Sequence, residues 1–277
     1  MQLTPRYGDD PVLTFEVPLG DPAVPAVRQR RRLARTLAGL DEEAWLTPSR
    51  CEGWAVRDVV AHLVGTNGFW AHSVAAGLAG EPTRVLTGFD PVATPAAMVG
   101  ALADRSPAEL LAQFDESNEA LARVVGGLDA ASWSAPAEAP PGHLSVAAVV
   151  LHALWDGWVH ERDIVLPLDL PPVLEDAEVT GCLRYAAALG PAYAAVSGST
   201  RTGTLGVEAT DIVPPFVVDL GPEVVVRPGP VPAGVPVLTG GAAALIEALS
   251  QRGSPVELPS ADRWMVEGLA VAFDAGT

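Results

Sequence analysis

Apolar residues recur at helical spacing through the first two thirds of the chain. This periodicity predicts five helices, at about 24–40, 56–80, 106–128, 145–164 and 175–196. Ser106 and Pro107 have the residue types that cap and open a helix, so they place the start of the third one. The proline-rich stretch 136–142 is predicted to be a loop between the third and fourth helices.

Beyond residue 200 the pattern changes to short β-prone runs separated by glycine and proline turns. It predicts strands at 204–209, 216–220, 223–227 and 235–238, then helices at 241–251 and 262–273. Helices first and strands later indicate an α plus α/β fold. We predict an extended arm over 1–20, a helical bundle over 21–200 and a small α/β domain over 201–277.

The net charge of the chain excludes some classes of binding partner. The chain has 34 acidic and 17 basic side chains, and every basic one is arginine. A net charge of −17 repels phosphate backbones and anionic lipids, so we expect neither nucleic acid nor membrane as a partner. Without lysine, Schiff-base chemistry and a P-loop are excluded. Cys51 and Cys182 lie far apart, which predicts free thiols and a cytoplasmic setting.

The fourth predicted helix carries a narrow polar stripe. Its ionisable residues between 146 and 160 are His152, Asp156 and His160, spaced four apart. Each step of four turns the helix by about 40°, so the three project from one face of an otherwise apolar helix. A buried carboxylate is costly unless it is paired or binds a metal. The stripe therefore indicates a metal or catalytic site, with hydrogen-bonded core histidines as the alternative.

A histidine on the second predicted helix provides a further ligand. His62 lies on the shoulder of that helix's apolar stripe, where it can face a neighbouring helix. On its own it would be interpreted as a core or surface histidine and not as a ligand. His72 and His143 lack such a pattern and are expected to be incidental.

Two segments, PSRCEGWAVRDVVAHL (48–63) and LWDGWVHERD (154–163), resemble the DinB-like superfamily and, within it, the mycothiol-dependent maleylpyruvate isomerase family. The resemblance implies a four-helix bundle that holds a divalent metal, usually zinc, with nickel, iron or manganese also possible. It implies His62, Asp156 and His160 as the ligands. The segment VLTGGAAALIEALSQRG (237–253) resembles the sterol-carrier-protein-like C-terminal domain of many members.

The chain departs from the family pattern at several positions. The family often has glutamate where this chain has Asp156, and a helix-capping Ser or Thr where it has Ala55. His152 is not a usual ligand, and it could be a fourth ligand, an outer partner or a proton shuttle. Asp163 is placed to accept the second N–H of His160. Cys51 fits the family's loop, and we interpret it as a packing residue.

The resemblance implies a metal-dependent enzyme that uses a low-molecular-weight thiol such as mycothiol. We expect isomerisation or S-transfer on a small, electrophilic, anionic metabolite, by a monomer or homodimer. His152 would act as acid or base, and Arg84 and Arg162 are candidates for contacting the anionic substrate. The alternatives are a hydrolase or lyase that uses metal-activated water, and a non-catalytic metal-binding protein.

Overall fold

The structure, a computed structural model, describes residues 4–274. The helices are α1 (Ala23–Ala38), α2 (Glu42–Leu46), α3 (Val56–Leu78), α4 (Ala93–Gly100), α5 (Pro107–Val125), α6 (Ala130–Ser134), α7 (Val146–Val165), α8 (Asp176–Val196), α9 (Ala242–Leu249) and α10 (Gly268–Asp274). The strands are β1 (Leu13–Phe15), β2 (Pro136–Ala139), β3 (Gly142–Ser145), β4 (Gly203–Ala209), β5 (Phe216–Leu220), β6 (Val224–Pro228) and β7 (Val237–Gly240).

Four of the helices form the predicted bundle. α3 packs against α5 and α7, and α1 packs against the same two helices. Ser106 caps α5 by accepting a hydrogen bond from the Glu109 N–H, with Pro107 at the first helical position as expected. At the start of α3, Asp58 accepts from the Ala55 N–H at 2.9 Å, although Ala55 has no side-chain oxygen to complete the cap. The helical prediction is therefore confirmed.

The later strands form a five-stranded mixed sheet in the order β1-β6-β5-β4-β7. β4, β5 and β6 are antiparallel neighbours, whereas β7 and β1 join the two edges in parallel. Every second residue of β5 is buried, which is the alternation of a sheet with one covered face. α8 packs against β5 and β6 and against α9 and α10. The α plus α/β class is thus confirmed.

Three parts of the sequence prediction were incomplete or wrong. The stretch 136–142 is not a loop, because β2 and β3 form a hairpin in which Glu138 pairs with His143. Its prolines favoured the prediction of a loop. Proline is nevertheless tolerated at the first position of a strand, as at Pro136. The short helices α2, α4 and α6 were not predicted, although Asp41 and Asp129 cap α2 and α6. The predicted helix 262–273 is a 3₁₀ turn followed by α10.

The bundle and the sheet share a continuous apolar core. Part of the predicted N-terminal arm is β1, in which Leu13 pairs with Val224 of the sheet. Trp155 of α7 donates from Nε1 to Ser250 Oγ, just after α9, at 2.8 Å. The division into 1–20, 21–200 and 201–277 stays a prediction. In the part of the chain that is described, every helix is too short or too polar to cross a membrane.

Candidate metal centre

Three potential ligand atoms converge between α3 and α7. Asp156 Oδ1 lies 3.6 Å from His62 Nε2 and 3.5 Å from His160 Nε2. The two imidazole rings are 4.8 Å apart, centroid to centroid. All three side chains are nearly closed off from solvent, with exposed fractions of 9%, 10% and 12% for His62, Asp156 and His160. The structure therefore brings together the three residues of the sequence prediction.

The spacing and chemistry of these atoms fit a divalent ion. A tetrahedral zinc ion at about 2.1 Å from its ligands separates the ligand atoms by about 3.4 Å. The two nitrogen-to-oxygen separations at the cluster are close to that value. Two imidazoles and one carboxylate form a donor set of the kind that zinc binds, and three protein ligands leave a position open. His62 Nδ1 is buried without a hydrogen-bond partner among the described residues.

A second layer of contacts holds His160. Its Nδ1 lies 3.0 Å from Asp163 Oδ2, which leaves Nε2 directed at Asp156. Asp163 is fully buried, and it also accepts hydrogen bonds from Cys51 Sγ at 3.2 Å and from Arg252 Nε at 3.0 and 3.1 Å. Asp163 thus connects His160 with a residue that follows α9.

In the metal-free cluster, the pKa shifts favour a protonated His160 beside an ionised Asp156 and a neutral His62. Burial alone would lower the pKa of His160, yet the carboxylates of Asp163 and Asp156 and the nearby Cys51 raise it to about 10. Burial lowers the pKa of His62, which stays neutral. Burial opposes ionisation of Asp156, but the two histidines outweigh it and lower its pKa. A bound cation would replace the proton on His160 as partner of the Asp156 carboxylate.

Thr66 and Trp54 shape the surroundings of the ligands. Thr66, one turn after His62 on α3, donates from Oγ1 to Asp156 Oδ2 at 3.2 Å. This contact engages the carboxylate oxygen that does not face the histidines. The Trp54 ring lies 5.5 Å from the His62 ring, centroid to centroid. Both contacts restrict the rotamers of the ligands.

His152 occupies the predicted face of α7, one turn before Asp156, and is buried. Its Nδ1 lies 2.6 Å from the hydroxyl oxygen of Tyr185 on α8. Its ring packs against those of Trp70 and Trp155, at centroid distances of 4.6 and 5.4 Å. Burial lowers the pKa of His152 to about 4, so the imidazole is neutral at pH 7.

The two arginines suggested by the sequence lie in different places. Arg162 is near the cluster in sequence, but its guanidinium stacks 3.3 Å from the centroid of the Trp158 ring and lies 3.6 Å from Glu247. Arg84 is exposed and lies over the ring of Tyr7. It follows the end of α3, which is about 24 Å along the helix from His62. The structure therefore does not bring Arg84 to the cluster.

The remaining histidines and the two cysteines lie outside the set of three potential ligands. His143 Nε2 lies 2.9 Å from the Thr83 carbonyl oxygen, and His72 is exposed on α3. Cys182 is fully buried, and burial raises its pKa well above the usual value. Cys51, predicted to be a packing residue, is half-buried and hydrogen-bonded to Asp163.

Arg252 is a neighbour of the cluster that the sequence did not predict. It lies 89 residues from Asp163 in the chain, so no local spacing connects the two. The segment that resembles the C-terminal domain contains it, but neither periodicity nor a motif marks it as a neighbour of the cluster. Its Nη2 lies 3.5 Å from Cys51 Sγ, and its side chain is 27% exposed.

Comparison with known proteins agrees with this architecture. The family model of the mycothiol maleylpyruvate isomerase N-terminal domain matches residues 26–165, which is half of the chain. The chain belongs to this family. The match spans α1 to α7 and contains all three potential ligands. Membership identifies the chain as an enzyme of an isomerase family.

Two crystal structures, of a mycothiol-dependent maleylpyruvate isomerase and of a mutant of it, have the same fold. The mutant matches with a TM-score of 0.61 and 17% identity, over 88% of this chain and 94% of its own. The other structure gives a TM-score of 0.60 and 16% identity over the same shares. At this identity the likeness shows the fold, including the sheet beyond the family model. No curated protein matches the sequence.

Proposed function

We propose that this protein is a divalent-metal-dependent isomerase that uses a low-molecular-weight thiol. The convergence of His62, Asp156 and His160 in a member of this family is the observation that carries the proposal. Zinc is the favoured ion because the donor set and its spacing suit a tetrahedral site. The thiol is mycothiol or a compound like it, and the substrate is a small electrophilic acid of the maleylpyruvate type.

The ion and thiol supply the nucleophile: a divalent ion with an open position lowers the pKa of a bound thiol and makes its sulfur reactive at neutral pH. The protein's residues hold and orient this group. His62, Asp156 and His160 provide the ligand atoms, and Asp163 fixes the ring of His160 through Nδ1. Burial of all three ligands limits the access of water to the site.

Of Arg162 and Arg252, Arg252 is the better placed to contact an anionic substrate. Arg162 is only 4% exposed and is already stacked and paired. Arg252 is 27% exposed, and the described residues give its Nη1 no hydrogen-bond partner. A guanidinium can bind a carboxylate through its remaining donors while Nε holds Asp163. We propose that Arg252, instead of Arg84 or Arg162, contacts the substrate carboxylate.

Metal analysis and turnover of three variants test the proposal. His62→Ala and His160→Ala each remove a ligand, and His72→Ala removes an exposed histidine from α3 as a matched control. We expect one metal ion per chain in the wild type and in His72→Ala, and strong loss in the other two. We also expect isomerisation of maleylpyruvate only when mycothiol is supplied.

Two results would contradict the proposal. Full metal content in both His62→Ala and His160→Ala would place the ion elsewhere. Metal-dependent turnover of the substrate without any thiol would favour metal-activated water, and hence a hydrolase or lyase.

A further inference from the structure

His152 and Tyr185 form an isolated polar pair inside the protein. Both side chains are buried. Tyr185 Oη lies 2.6 Å from His152 Nδ1, and this is the one hydrogen bond that either side chain forms with the described residues. The imidazole packs against the tilted ring of Trp70 and the perpendicular ring of Trp155, and the Phe15 ring stacks on the Tyr185 ring. These aromatic contacts hold both members of the pair in place.

The chemistry of the two groups decides which one donates. A phenol hydroxyl is a more acidic donor than the N–H of a neutral imidazole, and an imidazole nitrogen is a better acceptor than a phenol oxygen. Tyr185 therefore donates to Nδ1, and the single proton of the neutral ring lies on Nε2. The Nε2–H has no partner among the described residues. A neutral histidine fixed in this tautomer is a hydrogen-bond donor and not a base.

The position of His152 relates the pair to the metal centre. His152, Asp156 and His160 occupy successive turns on one face of α7. Across from them on α3, Thr66 contacts Asp156 and Trp70 contacts His152. His152 therefore lies at the same α3–α7 interface as the potential ligands, one helical turn farther along.

Isomerisation through addition of a nucleophile needs such a donor. When a nucleophile adds to a double bond conjugated with a carbonyl, the displaced electron pair collects on the carbonyl oxygen. The electron pair returns to carbon when the same nucleophile leaves. The bond between nucleophile and substrate that forms in the first step therefore breaks in the last, and the product has the same atoms as the substrate. A fixed donor that faces this oxygen stabilises the charge without giving up its proton.

We propose that Tyr185 holds His152 as a neutral Nε2–H donor, and that this donor binds the substrate oxygen on which charge develops. The second half of this inference rests on the proposed function. His152 is then a catalytic residue by hydrogen bonding, and Tyr185 is a positioning residue that acts through it.

The tautomer can be measured without turnover. Long-range ¹H–¹⁵N correlation spectra of the full-length protein at neutral pH distinguish protonated from unprotonated ring nitrogens, and His152→Gln assigns the signals. We expect His152 with Nε2 protonated and Nδ1 unprotonated. This pattern should persist in Tyr193→Phe, which removes another buried phenol from α8, and should be lost in Tyr185→Phe. An Nδ1–H tautomer or a charged ring in the wild type would overturn the inference.

Turnover tests the role of the donor. Removal of one such donor costs about 100-fold in kcat, so we expect that loss for His152→Ala with little change in KM. Gln retains an N–H donor and should restore most of the rate, and Tyr185→Phe should lose about tenfold. Equal rates for His152→Ala and wild type, or no difference between Gln and Ala, would overturn the donor role. A wild type without thiol-dependent isomerisation would instead refute the proposed function and leave the tautomer result standing.

Discussion

Asp163→Asn tests whether the contacts around the three potential ligands matter. Asn has the size of Asp and can still accept from His160 Nδ1, but it removes the charge that faces Arg252. Asp163 is fully buried, so solvent does not screen its contacts. We therefore expect the substitution to weaken both the metal-free fold and the binding of the ion.

The magnitude follows from the pKa of Asp163. Burial alone would raise it, but the hydrogen bond and charge of His160 and the charge of Arg252 lower it from 3.8 to about 2. This difference corresponds to about 2 kcal/mol of stability in the metal-free protein. Because the folded pKa is depressed, that stability is present above pH 3.8 and is lost as the pH falls through 2. Loss of a carboxylate that contacts a metal ligand lowers the affinity for the ion by about 10–100-fold.

Urea unfolding of the metal-free forms at pH 7 measures the first effect, and titration against a competing chelator measures the second. Glu119→Gln is the control, because Glu119 forms an exposed ion pair with Arg31 and is expected to change neither quantity by much. Asp163→Asn with wild-type stability and wild-type metal affinity would refute the role given to this carboxylate.

His152, the two cysteines and Arg252 can each be tested by substitution. The folded chain keeps His152 neutral down to about pH 4, whereas the unfolded chain protonates it near 6.5, so the wild type should lose up to about 3 kcal/mol between these values. Urea unfolding should show a loss smaller by about this amount for His152→Gln, because the buried His62 remains in both proteins. The double variant Cys51→Ser, Cys182→Ser should keep its turnover with added thiol, because the reactive sulfur is external; inactivity with metal retained would give Cys51 a chemical role. In steady-state kinetics, Arg252→Ala should raise KM for the anionic substrate, whereas Arg84→Ala should not; the reverse result would restore Arg84.

Much of the fold was accessible from the sequence because local patterns determine it. Helical periodicity located the bundle helices, and Ser106 with Pro107 marked the start of α5. β1 was missed because a three-residue strand has no periodicity of its own and depends on pairing with β6, more than 200 residues away. The hairpin at 136–145 was missed because its prolines resemble those of a loop.

The site residues also differ in whether local sequence patterns could predict them. His152, Asp156 and His160 share one helix, so their spacing alone places them on one face. His62 could be joined to them through the resemblance to a family. Arg252 and Tyr185 reach this region only through the packing of the C-terminal segment and of α8, and neither contact leaves a trace in local sequence. Contacts between distant segments are therefore the part that needed the structure.

X-ray absorption at the metal edge of the purified protein, with and without mycothiol, tests whether His62, Asp156 and His160 hold an ion that binds the thiol. Without thiol, we expect one ion per chain coordinated by two imidazole nitrogens and carboxylate oxygen. With thiol, we expect an additional sulfur at about 2.3 Å, in the wild type and in Cys51→Ser alike. An ion that never acquires sulfur, or one whose sulfur is present beforehand and disappears in Cys51→Ser, would contradict the proposed thiol-binding metal site.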